Sequence, residues 1–224
     1  LLTQLNRAVT TDPDLANRLS SRYPVAMVDE FQDTDDIQYG IFNAIYNRPG
    51  AQSLFMIGDP KQAVYQFRGA DVFTYINARR GIESRNGQIH SLNANWRSST
   101  PLIDAVNHLF NRTNIFDNDS DIPFHSVDPS PLSSELSFKV DGQEQKPFSI
   151  FLVAGDDKPL NKIEACSLGM AHAAEEVSNL LTMSSAGRVH LSDKTLNAGQ
   201  IAFLVRNKNE AREARYALSE RGIR

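Results

Sequence analysis

Short apolar runs that stop on polar or acidic pairs, each followed by a capped amphipathic stretch, constrain this chain more than any other feature. Val25–Val28 is β-branched and apolar and ends on Asp29-Glu30, and Leu54–Ile57 ends on Gly58-Asp59. Such runs fit strands buried on both faces of a parallel sheet, with the polar residues at the carboxyl end, where open α/β sheets bind ligands. Between them Thr34 is placed to cap a helix with Ile37, Ile41, Phe42 and Ile45 on one face, stopped by Pro49-Gly50. After Trp96 the pattern restarts, with Thr100 as N-cap and Pro101 opening a helix through Leu102, Ile103, Val106, Leu109 and Phe110. Phe148–Val153 and Ile201–Val205 read as further strands. Asn161 with Glu164, and Asn207 with Glu210, are capping-box starts for the helices that follow them. The first of these runs through Ile163, Cys166, Met170, Ala174, Val177 and Leu181, and the second ends near Gly222. Strand and helix alternate, which predicts a parallel α/β architecture with right-handed crossovers.

The stretch from about 111 to 147 is rich in Asp, Ser and Pro and has no sustained period, so it predicts an irregular excursion with a short hairpin. Two α/β units are expected to meet near Gln88–Asn95. The first covers residues 1–90 and the second 91–224, with the excursion as an insertion in the second.

Composition excludes several classes. With 224 residues, 41% of them hydrophobic, the chain can build one large core or two small ones. A formal net charge of -4 provides no overall basic field for nucleic acid, so any DNA contact has to be local. Cys166 is the single cysteine, which rules out an intramolecular disulfide, and the five histidines show no metal-ligand spacing. No apolar run approaches the roughly 20 residues that a bilayer requires. With no export signal at the start, the cytoplasm is the expected compartment. The opening on Leu1-Leu2-Thr3 and the stop just past a helix read as the ends of an excised piece of a longer chain.

Asp29-Glu30 is the pair that a magnesium-nucleotide site needs. One carboxylate holds the metal, and its neighbour orients or deprotonates the attacking water. Two acids after a strand also suit the start of a solvated loop, and the dipeptide by itself does not separate these readings. In the second segment, Gly58-Asp59-Pro60-Lys61-Gln62-Ala63-Val64-Tyr65-Gln66-Phe67-Arg68-Gly69, a turn precedes two aromatic residues and an arginine. Bases stack on such rings and guanidinium planes, which makes Tyr65, Phe67 and Arg68 candidates for holding a single strand; the plainer reading puts both rings in a core. In the third, Leu92-Asn93-Ala94-Asn95-Trp96-Arg97-Ser98-Ser99, an aromatic plate able to stack on adenine stands beside an arginine able to neutralise a transferring phosphoryl group. A buried tryptophan beside an ordinary ion pair is the alternative there. Arg206 and Lys208 read as a solvated strand end.

These three segments, in this order, resemble the second, third and fourth motifs of superfamily 1 DNA helicases, the UvrD, Rep and RecB group. Val28-Asp29-Glu30-Phe31-Gln32-Asp33-Thr34-Asp35 carries the resemblance most specifically. Pro60-Lys61, Phe67 and Gly69-Ala70-Asp71-Val72-Phe73-Thr74-Tyr75 are closer to RecB-type chains, the beta subunits of exodeoxyribonuclease V, and to AddA chains than to UvrD. The resemblance implies a RecA-like P-loop motor with ATP and Mg2+, the end of its first domain and the start of its second. It implies Asp29 on Mg2+, Glu30 as catalytic base, and Gln32 with Asp33 in a network joining the nucleotide site to the next motif. It further gives Gln62 as sensor of the terminal phosphate, Arg97 on the γ-phosphate, Trp96 on the base, and DNA along Tyr65, Phe67 and Arg68. Trp96 stands where the family often has tyrosine. A RecB-type parent implies a helicase-nuclease that processes double-strand DNA ends for recombinational repair, partnered by gamma and alpha subunits. No Gly-x-x-x-x-Gly-Lys-[Ser/Thr] loop occurs in these residues, so the isolated piece is expected to be inactive. The competing readings are a UvrD- or Rep-like or AddA-type helicase and, in another class, a non-catalytic DNA-binding scaffold subunit.

Overall fold

The computed structural model describes residues 1–48, 53–63, 72–112, 121–154 and 158–223. They form two compact units, one drawn from 1–92 with 112–124 and the other from 93–111 with 125–224. Tyr65, Phe67, Arg68 and the Pro49-Gly50 stop lie outside the described residues.

The first unit opens with helices α1 (Leu2–Thr11) and α2 (Pro13–Arg22). The second has a sequence signature: the Asp12 carboxylate accepts from the amides of Asp14 and Leu15, and Pro13, which has no amide hydrogen to satisfy, starts the helix. Strand β1 (Val25–Val28) leads through a 3-10 turn at Phe31–Asp33 to α3 (Asp36–Tyr46), and β2 (Ser53–Met56) leads through a second such turn at Pro60–Gln62. Helix α4 (Val72–Ser84) follows. Helix α3 is capped by Asp35, whose side chain accepts from the Gln38 amide while the Gln38 side chain returns to Asp35. The cap is thus one residue beyond Thr34, which is buried instead. Val9 of α1, Ala16 of α2 and Ile41 with Ile45 of α3 form the core, with Leu15, Leu19, Ala44 and Tyr46 against it. The Tyr46 hydroxyl donates to the Tyr23 carbonyl at 2.9 Å and fixes the end of α3 to the chain entering β1.

β1 and β2 are parallel, with Val25 opposite Ser53 and Val28 opposite Met56. The expectation that both strands are buried on both faces is corrected. Val25 is 54% exposed, Met27 68% and Phe55 51%, while the alternate residues are half-buried. A parallel strand is covered on both faces only where elements pack on each, and the described residues cover one face.

In the second unit β3 (Ala94–Asn95) pairs in parallel with β4 (Asp128–Pro129), and α5 (Thr100–Phe110) buries Ile103. Ser99, not Thr100, is its N-cap. The Asn107 side chain both accepts from the Val127 amide and donates to the Val127 carbonyl, tying α5 to the strand after it. A four-stranded antiparallel sheet follows in the order β6-β5-β7-β8, from β5 (Phe138–Val140), β6 (Gln143–Glu144), β7 (Val189–Leu191) and β8 (Lys194–Thr195). Asp141-Gly142 turns its first hairpin with both φ angles positive, the Asp-Gly pattern of a two-residue turn. The hairpin of β7 and β8 has no glycine at its Ser192-Asp193 turn and gave no sequence signal. Arg188 closes the sheet with two hydrogen bonds to the Asp141 carboxylate, 2.6 and 2.7 Å.

Helices α6 (Lys162–Ser185) and α7 (Lys208–Ser219) pack on each other. Asn161 and Glu164 form the capping box read from the sequence. Asn207 caps α7, but Glu210 reaches one residue further back, to the Arg206 amide and guanidinium. The predicted strands 148–153 and 201–205 do not pair: among the described residues neither segment has strand partners. Leu152 is 90% exposed and Leu204 101%. An isolated apolar run gains its strand conformation from a neighbouring strand's hydrogen bonds, and here none is supplied. Ile163, at the start of α6, is likewise 80% exposed, so the helix's covered face begins further along. Among the described residues no helix is long and apolar enough to cross a membrane.

Candidate nucleotide site

The carboxyl ends of β1 and β2 bring the acid pair and the Gly58–Gln62 turn together. The Ile57 amide donates to Val28 O at 2.9 Å and the Phe31 amide donates to Ile57 O at 2.8 Å, so parallel pairing continues past both strands. Between these bonds Glu30 adopts φ 49° and ψ 44°, the left-handed region that a side chain with a β-carbon occupies at a cost of about 1–2 kcal/mol. Such strain persists where the surroundings over-determine it, and it concentrates at functional positions. Phe31 supplies the constraint. It is 2% exposed, with Tyr39 edge-on at 5.7 Å and Tyr75 tilted at 5.9 Å.

Gln32 lies beneath this turn, 2% exposed, and its amide is satisfied at both ends. Nε2 donates to Glu30 Oε2 at 2.6 Å, and Oε1 accepts from the Asp59 amide at 3.0 Å. One buried side chain therefore ties the acid of the first segment to the backbone of the second. Asp59 continues the chain. Its Oδ1 accepts from Lys61 Nζ at 2.7 Å and from the Lys61 amide at 3.1 Å, and its Oδ2 accepts from Gln62 Nε2 at 3.2 Å. Burial would raise the Asp59 pKa, but the hydrogen bonds from Lys61 and Gln62 outweigh it and hold the carboxyl below its ordinary value. Gly58 permits the approach: a β-carbon there would stand 2.6 Å from Gln32 Oε1 and 3.0 Å from the Phe31 nitrogen.

Asp29 and Glu30 are exposed at the strand end. Asp29 Oδ1 accepts from the Glu30 amide at 2.9 Å, while Asp29 Oδ2 and Glu30 Oε1 make no hydrogen bond to a described residue. Asp33, in contrast, keeps a buried Oδ1 with no partner among the described residues. Among the described residues no three His, Cys, Asp or Glu side chains cluster to hold a metal. Mg2+ ordinarily takes one or two carboxylates and completes its shell with water and phosphate oxygens, and Asp29 fits that donor set.

Trp96 and Arg97 belong to the second unit. Asn95 Oδ1 accepts from the amides of Arg97 and Ser98, each at 2.9 Å, and Asn95 O accepts from the Ser130 amide and the Ser133 hydroxyl. The backbone is thereby fixed while both side chains project into solvent. The indole is 64% exposed and is not a core residue of its unit. Arg206 is committed to Glu210, with Nη2 at 2.8 Å from Oε1. Asp59 and Lys61 had no assigned role in the sequence reading. Asp59 before Pro60 has the pattern of a turn cap, which the sequence reading did not use, and nothing in that pattern points to the bond to Gln62.

With this geometry established, comparison with known proteins places the segment. Residues 1–83 match the UvrD/REP helicase N-terminal domain. Over nearly its whole length the chain is also similar to the RecBCD enzyme subunit RecB. It is 37% identical to that of Buchnera aphidicola from Acyrthosiphon pisum over 94% of this chain and 18% of the relative. For Escherichia coli K12 the figures are 35%, 98% and 19%, and for Haemophilus influenzae Rd 38%, 94% and 17%. The chain thus spans less than a fifth of the length of these curated relatives. A helicase domain of this family implies the use of ATP and Mg2+ in general.

Proposed function

We propose that this chain is part of the motor of an ATP-dependent DNA helicase of the RecB kind, spanning the end of a first RecA-like domain and the start of a second. The parent would process double-strand DNA ends for recombinational repair, with the gamma and alpha subunits of exodeoxyribonuclease V as its partners. The hydrogen-bonded path from Glu30 through Gln32 and Asp59 to Gln62 carries this reading. It joins a carboxylate suited to water activation to an amide suited to sensing a phosphate, at the carboxyl ends of adjacent parallel strands.

In this mechanism Glu30 takes a proton from the attacking water at Oε1, the oxygen that Gln32 leaves open. Asp29 would hold Mg2+ through a carboxylate oxygen, and Gln62 would register the terminal phosphate. Bound there with ATP, the metal would neutralise charge developing on the phosphate oxygens. Arg97 is assigned to the γ-phosphate and Trp96 to the base only by their resemblance to the family's fourth motif. Tyr65, Phe67 and Arg68 are assigned to the DNA strand by their resemblance to the family's third motif.

The test is single-strand-DNA-stimulated ATP hydrolysis by the full-length polypeptide, wild type against Glu30→Gln. That substitution keeps size and the contact to Gln32 but removes the base. The expected result is a fall in kcat of about 10²–10⁴-fold with nucleotide binding retained. A wild type with no DNA-stimulated turnover, or a variant that matches it, replaces the motor with the scaffold reading.

A further inference from the structure

The turn after β2 contains a carboxylate for which the proposed chemistry has no use. Asp59 divides its two oxygens: Oδ1 holds the Lys61 ammonium and caps the turn at the Lys61 amide, and Oδ2 holds the side-chain nitrogen of Gln62. Its own amide is held by Gln32, itself bonded to Glu30, so the carboxylate stands in fixed register with the proposed base. Gln62 is exposed, and without this bond its amide would rotate freely and present either end outward.

We infer that Asp59 is a positioning residue for Gln62: its Oδ2 fixes which end of the Gln62 amide faces the nucleotide, and it couples that orientation through Gln32 to Glu30. The inference rests on Gln62 acting as the phosphate sensor. A carboxylate only accepts, so the nitrogen of Gln62 is held at the Asp59 end. One N–H is then committed to Asp59, and the second remains free to donate to a phosphate oxygen. Preorganising a donor in this way removes the cost of ordering it when the phosphate arrives. Lys61 neutralises the first oxygen and leaves the second to Gln62. The pair accordingly does more than close a surface ion pair, which by itself is worth little.

Asp59→Asn separates the inference from a purely structural role. Asparagine caps a turn as well as aspartate, and its oxygen still accepts from Lys61. In place of Oδ2 it presents an NH2, which pairs with the Gln62 carbonyl and reverses the amide. The experiment uses the full-length polypeptide and compares affinities for ADP and for a non-hydrolysable ATP analogue, alongside DNA-stimulated turnover. We expect unchanged ADP affinity, a roughly tenfold loss of the preference for the ATP analogue and a similar fall in kcat, the scale of one oriented hydrogen bond. In a Gln62→Ala background, Asp59→Asn should have no further effect, because both changes remove one interaction.

Three outcomes overturn the inference. One is a variant that keeps the wild-type preference, another is an equal effect in the Gln62→Ala background, and the third is loss of ADP binding as well, which marks Asp59 as structural. A wild type that neither binds nucleotide nor turns it over overturns the proposed function too, and so is distinguishable from these.

Discussion

Gly58→Ala isolates the contact on which the candidate site depends. Replacing glycine by alanine where the backbone already suits both stabilises a protein by about 0.4–1 kcal/mol. At this position the sign should reverse, because the obstacle is space. The added methyl would lie 2.6 Å from Gln32 Oε1, 3.0 Å from the Phe31 nitrogen and 3.1 Å from the Gln32 nitrogen. Two of these neighbours are backbone and cannot rotate away, so the two turns must move apart. Separation strains the 2.8 Å bond from the Phe31 amide to Ile57 O and the 3.0 Å bond from the Asp59 amide to Gln32 Oε1. Overpacking costs about 1–3 kcal/mol, and leaving a buried group such as the Gln32 carbonyl unpaired costs a further ~1–3 kcal/mol. With partial relaxation the local cost is about 2–4 kcal/mol, which is roughly a 30- to 1,000-fold increase in the open population. Hydrogen–deuterium exchange of the full-length polypeptide reads this at peptides covering 29–34 and 57–62. Exchange at wild-type rates, or slower, would refute the packing argument and with it the claim that Gly58 holds the two segments in register.

Gly142 should fail for the opposite reason. Its surroundings are open, with nothing within 4 Å of an added β-carbon, but its φ is +76°. Gly142→Val should therefore weaken the β5–β6 hairpin by about 1–2 kcal/mol, seen as faster exchange of the Gln145 amide that bonds Phe138 O. A hairpin unaffected by valine would mean that the turn does not need the left-handed backbone. Acid sensitivity follows from three carboxylates held below their ordinary pKa. For Asp59 the hydrogen bonds from Lys61 and Gln62 overcome the effect of burial. For Asp141 the cause is the hydrogen bonds from Arg188, and for Glu210 those from the Arg206 amide and guanidinium. Since the folded state binds fewer protons, this stabilisation is complete above about pH 5 and is lost as pH falls through the depressed values. Unfolding temperatures that stay flat from pH 6 to about pH 5 and then decline would agree, whereas a rise in stability below pH 4 would contradict it.

Much of the α/β character was legible in local sequence, because its causes are local. The Asn161–Glu164 box and the Pro101 start were read directly; the Pro13 start and the Asp141-Gly142 turn were not, though they too involve residues within a few positions, where side chain and backbone satisfy one another whatever else the chain does. The acid pair and the Gly58–Gln62 turn were likewise visible as motifs. The caps fall one residue from the expected positions: Asp35, not Thr34, accepts from the Gln38 amide, and α5 starts after Ser99 without a side-chain cap bond. What tertiary structure decided depends on partners distant in sequence. Whether an apolar run becomes a strand depends on a neighbour to bond. Val25–Val28 finds Ser53–Met56, while Phe148–Val153 and Ile201–Val205 find none among the described residues. No periodicity could have revealed that Gln32 spans from Glu30 to Asp59, or that Asp59 turns back to Gln62. The residue types at the site are written in the sequence, but their hydrogen-bonded order exists only once two strands lie side by side and one buried amide must satisfy both of its ends.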